Sequence, residues 1–177
     1  MTKVFRRLVT ILLLWFSALP LWADDSYDAL MAALAQADNQ AQADQLSGEI
    51  WQFWLTAPDG AAQEVLDNAM QRRQAYDFLG ALDHLDRLID GWPDYAEGWN
   101  QRATVHFLRG DYAASLADVA ETLAREPRHF GALAGKAMIL FNQGNTPLAQ
   151  IAVREALQYH PFLHERVILD IDAGEEI

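Results

Sequence analysis

The chain has 177 residues, with 13 Lys+Arg against 25 Asp+Glu for a net charge of −12, and it contains no cysteine. The missing cysteines exclude disulfides, zinc knuckles, iron–sulfur ligation, thiol nucleophiles and a lipid-modified N-terminal cysteine. The acidic balance leaves no basic stripe with which to displace phosphate counterions, so nucleic acid is not an expected partner, while 51% apolar residues suffice for a sizeable core.

Lys3, Arg6 and Arg7 precede an apolar run of 15 residues, Leu8 to Trp22, which Pro20 interrupts near its end. The small residue Ala23 follows, then Asp24-Asp25. A spanning helix wants about 20 apolar residues, so the pattern predicts a secretory signal over 1–23, cleaved after Ala23, with no stable membrane insertion afterwards. Cleavage removes three basic residues and no acid, taking the net charge from −12 to −15. An exported chain without cysteine suits a bacterial periplasm.

Residues 24–61 read as a helical hairpin. Tyr27, Leu30, Met31 and Leu34 have helical spacing within 26–37, and a second run over 40–57 ends in Ile50-Trp51-Gln52-Phe53-Trp54-Leu55 before Pro58-Asp59-Gly60 stops it. Trp51 and Trp54, three apart on one helix, are expected to pack as a lid on the first helix of the unit that comes next. A partner-facing hot spot is the alternative, since tryptophan is enriched in such spots.

Beyond the hairpin the chain repeats. Pro93, Pro127 and Pro161 are 34 residues apart, and the same step aligns Ala69 with Ala103 and Ala137, Val65 with Trp99 and Leu133, Asp77 with Asp111 and Asn145, and Leu85 with Val119 and Val153. In 96–127, Trp99, Ala103 and Phe107 recur with helical spacing, Gly110-Asp111 breaks the run, and Tyr112, Leu116, Val119 and Leu123 carry a second helix to Pro127. Small residues at 69, 103 and 137, faced by Ala81, Ser115 and Ala149, let the two helices of a unit approach closely. Gly110 and Gly144 supply a permissive backbone at the turn, where the first unit has Tyr76. One such unit cannot bury both its faces, so units must stack, about three at the least. Pro58 lies 35 residues before Pro93, which makes the hairpin a degenerate repeat slipped by one. After Pro161, the residues Phe162, Val167, Ile168 and Ile171 are expected to line a capping helix, ahead of a polar tail at Gly174-Glu175-Glu176.

The segment Ala96-Glu97-Gly98-Trp99 … Gly110-Asp111-Tyr112 … Glu126-Pro127 resembles the tetratricopeptide repeat family, over about 62–163. Ala96-Glu97-Gly98-Trp99-Asn100 and the stretch Pro127 to Gly135 are similar to those of exported members from Gram-negative bacteria. The resemblance implies an all-α, right-handed solenoid of three helix-turn-helix units, 62–95, 96–129 and 130–163, closed by a capping helix and tail at 164–177. It also implies a non-catalytic scaffold for protein partners, with the first helix of each unit on the concave side. The inward columns are then Leu66, Met70 and Arg73, next Asn100, Thr104 and Phe107, and last Ala134, Met138 and Phe141. A peptide segment of another envelope protein is the expected ligand, oriented by Asn100 and Arg73. The family's carboxylate clamp of lysine, asparagine and arginine is not matched, because Leu66, Met70, Ala134, Gly135 and Met138 hold the columns that would carry it.

Other chemistry is sparse. His160 and His164 are four apart with Pro161 between them, so no metal site is expected. His129 beside Arg128 offers an anion contact in an inter-unit loop. No nucleophile elbow or glycine-rich phosphate loop is present, and neither a catalytic residue nor a cofactor is expected. The rival readings are an acid/base catalyst using His106 with Asp111 or Asp118, and a homodimer that pairs through Trp51 and Trp54. From Asp24 to Gln71 there are nine acids and no Lys or Arg, so the acidity concentrates at one end.

Overall fold

The 34-residue step sets the architecture. A computed structural model describes residues 21–171; positions 1–20 of the expected signal and the tail at Gly174-Glu175-Glu176 lie outside that range. Eight α-helices run through it: α1 (Leu21–Ala35), α2 (Gln40–Trp54), α3 (Gly60–Gln74), α4 (Phe78–Gly91), α5 (Ala96–Leu108), α6 (Tyr112–Arg125), α7 (Phe130–Asn142) and α8 (Thr146–Leu157). Ala23 falls within α1. The pairs α3/α4, α5/α6 and α7/α8 each form an antiparallel unit, and the units stack through α4 on α5 and α6 on α7. The first helices also touch in sequence, α3 to α5 and α5 to α7, and so form one inner row.

Small residues sit where the helices of a unit cross. Ala69, Ala103 and Ala137 are buried opposite Ala81, Ser115 and Ala149, and Ser115 Oγ donates to the Ala103 carbonyl at 2.7 Å. Around these crossings Leu85, Val119 and Val153 are almost wholly removed from water, each contributing about 1.5–3 kcal/mol of burial.

The turns inside the units are built alike. Gly110 and Gly144 take the left-handed backbone, φ 78° and 75°, and Tyr76 takes it too at φ 59°. In each case the residue after the left-handed one donates back across the last helical turn: Asp77 to the Arg72 carbonyl, Asp111 to His106 and Asn145 to Leu140, all at 2.9 Å. Asp59, Asp77 and Asn145 then cap α3, α4 and α8, accepting the amide three residues on. The amide of Ala62 and the indole of Trp92 hold the Asp59 carboxyl below its ordinary range, and the Gly80 amide and Arg72 do the same for Asp77.

Two expectations need correcting. The C-terminal cap is a 3-10 helix, His164–Asp170, with only Ile168 buried while Val167 is exposed. It is seven residues long and is tied to α8 by Gln150, which donates to the Ile168 and Ile171 carbonyls. The hairpin's tryptophans also do not lie on the first helix of the adjacent unit. Tyr27, Met31, Leu34, Ile50 and Trp54 form one cluster with Phe130 of α7, flanked by Tyr159, Phe162 and Leu163. The hairpin thus reaches past two units to the start of the third, where Arg128 pairs with Asp28 at 2.6 Å and lies over the Tyr27 ring. Gly131 permits the approach, since a Cβ there would meet the Trp51 ring at 2.7 Å.

Candidate protein-binding site

The junction of hairpin, α5 and α7 is organised by a buried carboxylate. Glu97, in the first turn of α5, is 1% exposed and accepts hydrogen bonds from Asn100 Nδ2 at 3.0 Å, Gln101 Nε2 at 2.5 Å and His129 Nε2 at 2.9 Å. The helix N-terminus adds a favourable field. His129, fully buried, accepts the Ala132 amide on Nδ1 and so caps α7, which leaves Nε2 as the donor to Glu97. Arg73 Nη1 extends the chain by donating to Gln101 Oε1 at 2.7 Å. One hydrogen-bonded path therefore joins the first helices of all three units, and Trp54 of the hairpin lies over its last member.

Several expected site residues are consumed by this arrangement. Arg73 and Asn100 each commit one donor to it, Arg73 to Gln101 and Asn100 to Glu97. Leu66 is wholly buried in the core between α3 and α4, with Met70 packed against that cluster, and Phe141 packs with α8 and Ile168. His129 offers no anion contact, because both of its nitrogens are occupied and it is closed to solvent. The signal for its true role was only its place one residue before a helix, an N-cap position.

Four of the eight candidates do meet. Asn100, Thr104 and Phe107 of α5 and Met138 of α7 line a cavity of about 370 Å³, with Ala134 and Gly135 in its floor. Trp51 and Phe130 border it from the hairpin side, and His160, Leu163 and Glu165 from the connection after α8. Leu163 and Glu165 were not anticipated, since they reach the cavity from the connection after α8, whereas Trp51, the alternative hot spot, arrives through the hairpin's long-range docking. The volume lies at the lower end of ligand-binding cavities, about 300–1,000 Å³.

The acid/base constellation does not assemble. His106 Nδ1 lies 3.9 Å from Asp111 and Nε2 lies 3.8 Å from Asp118, both beyond hydrogen-bond reach. Asp118 is gripped by Arg102 through two bonds of 2.8 Å, and the same guanidinium reaches Asp86 at 2.7 Å, so it joins α4, α5 and α6. Trp99 is half-buried beside it, with Arg102 and Arg125 both over its ring.

No family model matches the chain. It is 37% identical over 137 residues to a TPR repeat-containing protein of Rhizobium etli, covering 76% of this chain and 66% of that protein. It is 36% identical over 76 residues to a tetratricopeptide repeat protein 36 homolog of Nematostella vectensis, covering 43% and 41%. The chain thus spans under two thirds of the length of either relative. Stacked helix pairs at a 34-residue step together with these relatives make the chain similar to tetratricopeptide repeat proteins, which are in general scaffolds for protein partners.

Proposed function

We propose that the protein is an exported, periplasmic, non-catalytic adaptor that holds a segment of another envelope protein in the space between α5, α7 and the N-terminal hairpin. The observation that carries this reading is the cavity beside Phe107 and Met138, an apolar opening on the inner row that the protein's own hairpin leaves unfilled. The basic-then-apolar leader and Ala23 support export. The binding test uses the wild-type chain as bait in intact cells, with the captured partner's affinity then measured. Phe107→Ala with Met138→Ala should weaken binding about tenfold or more, as for anchors in a central pocket, while Ile151→Ala on the exposed face of α8 should not. Unchanged affinity in the first variant together with loss in the second would move the site to the outer face.

A further inference from the structure

The cavity's chemistry says more about its occupant than its shape does, and an occupant assigned from that chemistry rests on the adaptor function proposed for the same site. Among the residues lining the cavity, Glu165 carries the only formal charge, and no lysine or arginine is among them. The Glu165 carboxylate makes no hydrogen bond or salt bridge among the described residues, unlike that of Glu97, which accepts from three donors. Its neighbour on the wall, His160, is 5% exposed, and its Nδ1 has no hydrogen-bond partner among the described residues. Burial pushes the His160 ring toward its neutral form, so it supplies no countercharge. An adjoining cavity of about 360 Å³ shares His160, Leu163 and Glu165 and adds a second carboxylate, Asp44; its guanidinium, Arg166, lies over the Phe162 ring. The hairpin that borders both belongs to the stretch with nine acids and no Lys or Arg.

A partly buried carboxylate with no hydrogen-bond or ion-pair partner among the described residues, at the rim of an apolar cavity in an acidic surround, is complementary to a cation carried next to an apolar group. We propose that the partner segment is basic and apolar, seating an apolar side chain between Phe107 and Met138 and pairing a neighbouring lysine or arginine with Glu165. The acidic field would also speed encounter with such a segment.

The test uses short acetylated peptides that alternate leucine with lysine, with serine or with glutamate, titrated against the full chain at one fixed salt concentration. The lysine peptide should bind tightest, and Glu165→Gln should weaken it about fivefold while leaving the serine peptide unchanged. Glu64→Gln, an equal change of charge on the exposed surface of α3, should have no comparable effect, which separates pairing from the overall field. Equal losses for Glu165→Gln and Glu64→Gln, or no loss, would overturn the pairing. The adaptor site would still stand if Phe107→Ala weakened the serine peptide. No binding by any peptide would overturn both.

Discussion

Trp54 lies flat on His129, with ring centroids 3.8 Å apart and planes 15° from parallel. The imidazole is held at one edge by Glu97 through Nε2 and at the other by the Ala132 amide through Nδ1, so the indole rests on a ring that cannot turn. Trp54 Nε1 also donates to the Tyr27 hydroxyl at 3.1 Å, and its carbonyl accepts from Tyr95 at 2.6 Å. The Tyr27 bond thereby ties the two hairpin helices together, while the aromatic plate and the Tyr95 bond lock the hairpin to the units.

Trp54→Ala should cost about 3–5 kcal/mol, the range for deleting a large buried aromatic. The loss should be visible as a lower midpoint in denaturant. Amide exchange in α1 and α2 should accelerate more than in α5 and α6, because the hairpin loses its seat while the units keep theirs.

Glu97→Gln replaces an acceptor-only group by one that turns a donor toward donors. We expect about 2–3 kcal/mol of destabilisation, since a buried hydrogen-bonding group is left facing the wrong chemistry. Chemical denaturation of the two proteins measures it, and a change below about 0.5 kcal/mol would mean that the carboxylate is not what joins the three units.

Tyr76 holds a left-handed backbone that costs a side-chain-bearing residue about 1–2 kcal/mol, and the residue is 82% exposed. Tyr76→Gly should therefore raise stability by about 0.5–1 kcal/mol after the greater flexibility of glycine in the unfolded chain is subtracted. Thermal unfolding checks the sign.

The solenoid was legible in the sequence where one physical requirement recurs at each step. Ala69, Ala103 and Ala137 announce a helix crossing, and Gly110 and Gly144 a left-handed turn. Tyr76 hid the first turn because its conformation is imposed by the same backbone bonds that the glycines accept without strain. The site was less legible. Leu66, Asn100 and Ala134 share a column, yet one is core, one feeds a buried carboxylate and one floors the cavity, because neighbours outside the column decide the outcome. His129 was the larger surprise: its column mates are Tyr95 and Leu163, so no repeated chemistry marks it as a cap. The hairpin's docking depends on contacts such as Asp28 with Arg128, a hundred residues apart, and no local pattern encodes that distance.

His160 links stability to pH. Its folded value is lowered by burial, so as pH falls below about 6.5 the unfolded chain takes up a proton that the folded chain resists, and stability drops. Above about pH 8 both states are neutral at this ring and the dependence vanishes. The carboxyls of Asp59 and Asp77, held low, act in a separate and more acid window, their contribution being lost as pH falls through their folded values. Unfolding free energies from about pH 7.5 down to about 5 should therefore fall more steeply for the wild type than for His160→Gln.

The central claim is that partners enter beside Phe107, between α5, α7 and the hairpin. A photo-crosslinking residue placed at position 107 and, separately, at position 151 on the exposed face of α8 tests it in living cells. The account predicts a discrete protein adduct from position 107 that Glu165→Gln diminishes, and none of the same mass from position 151. An adduct formed from position 151 and absent from position 107 would contradict it.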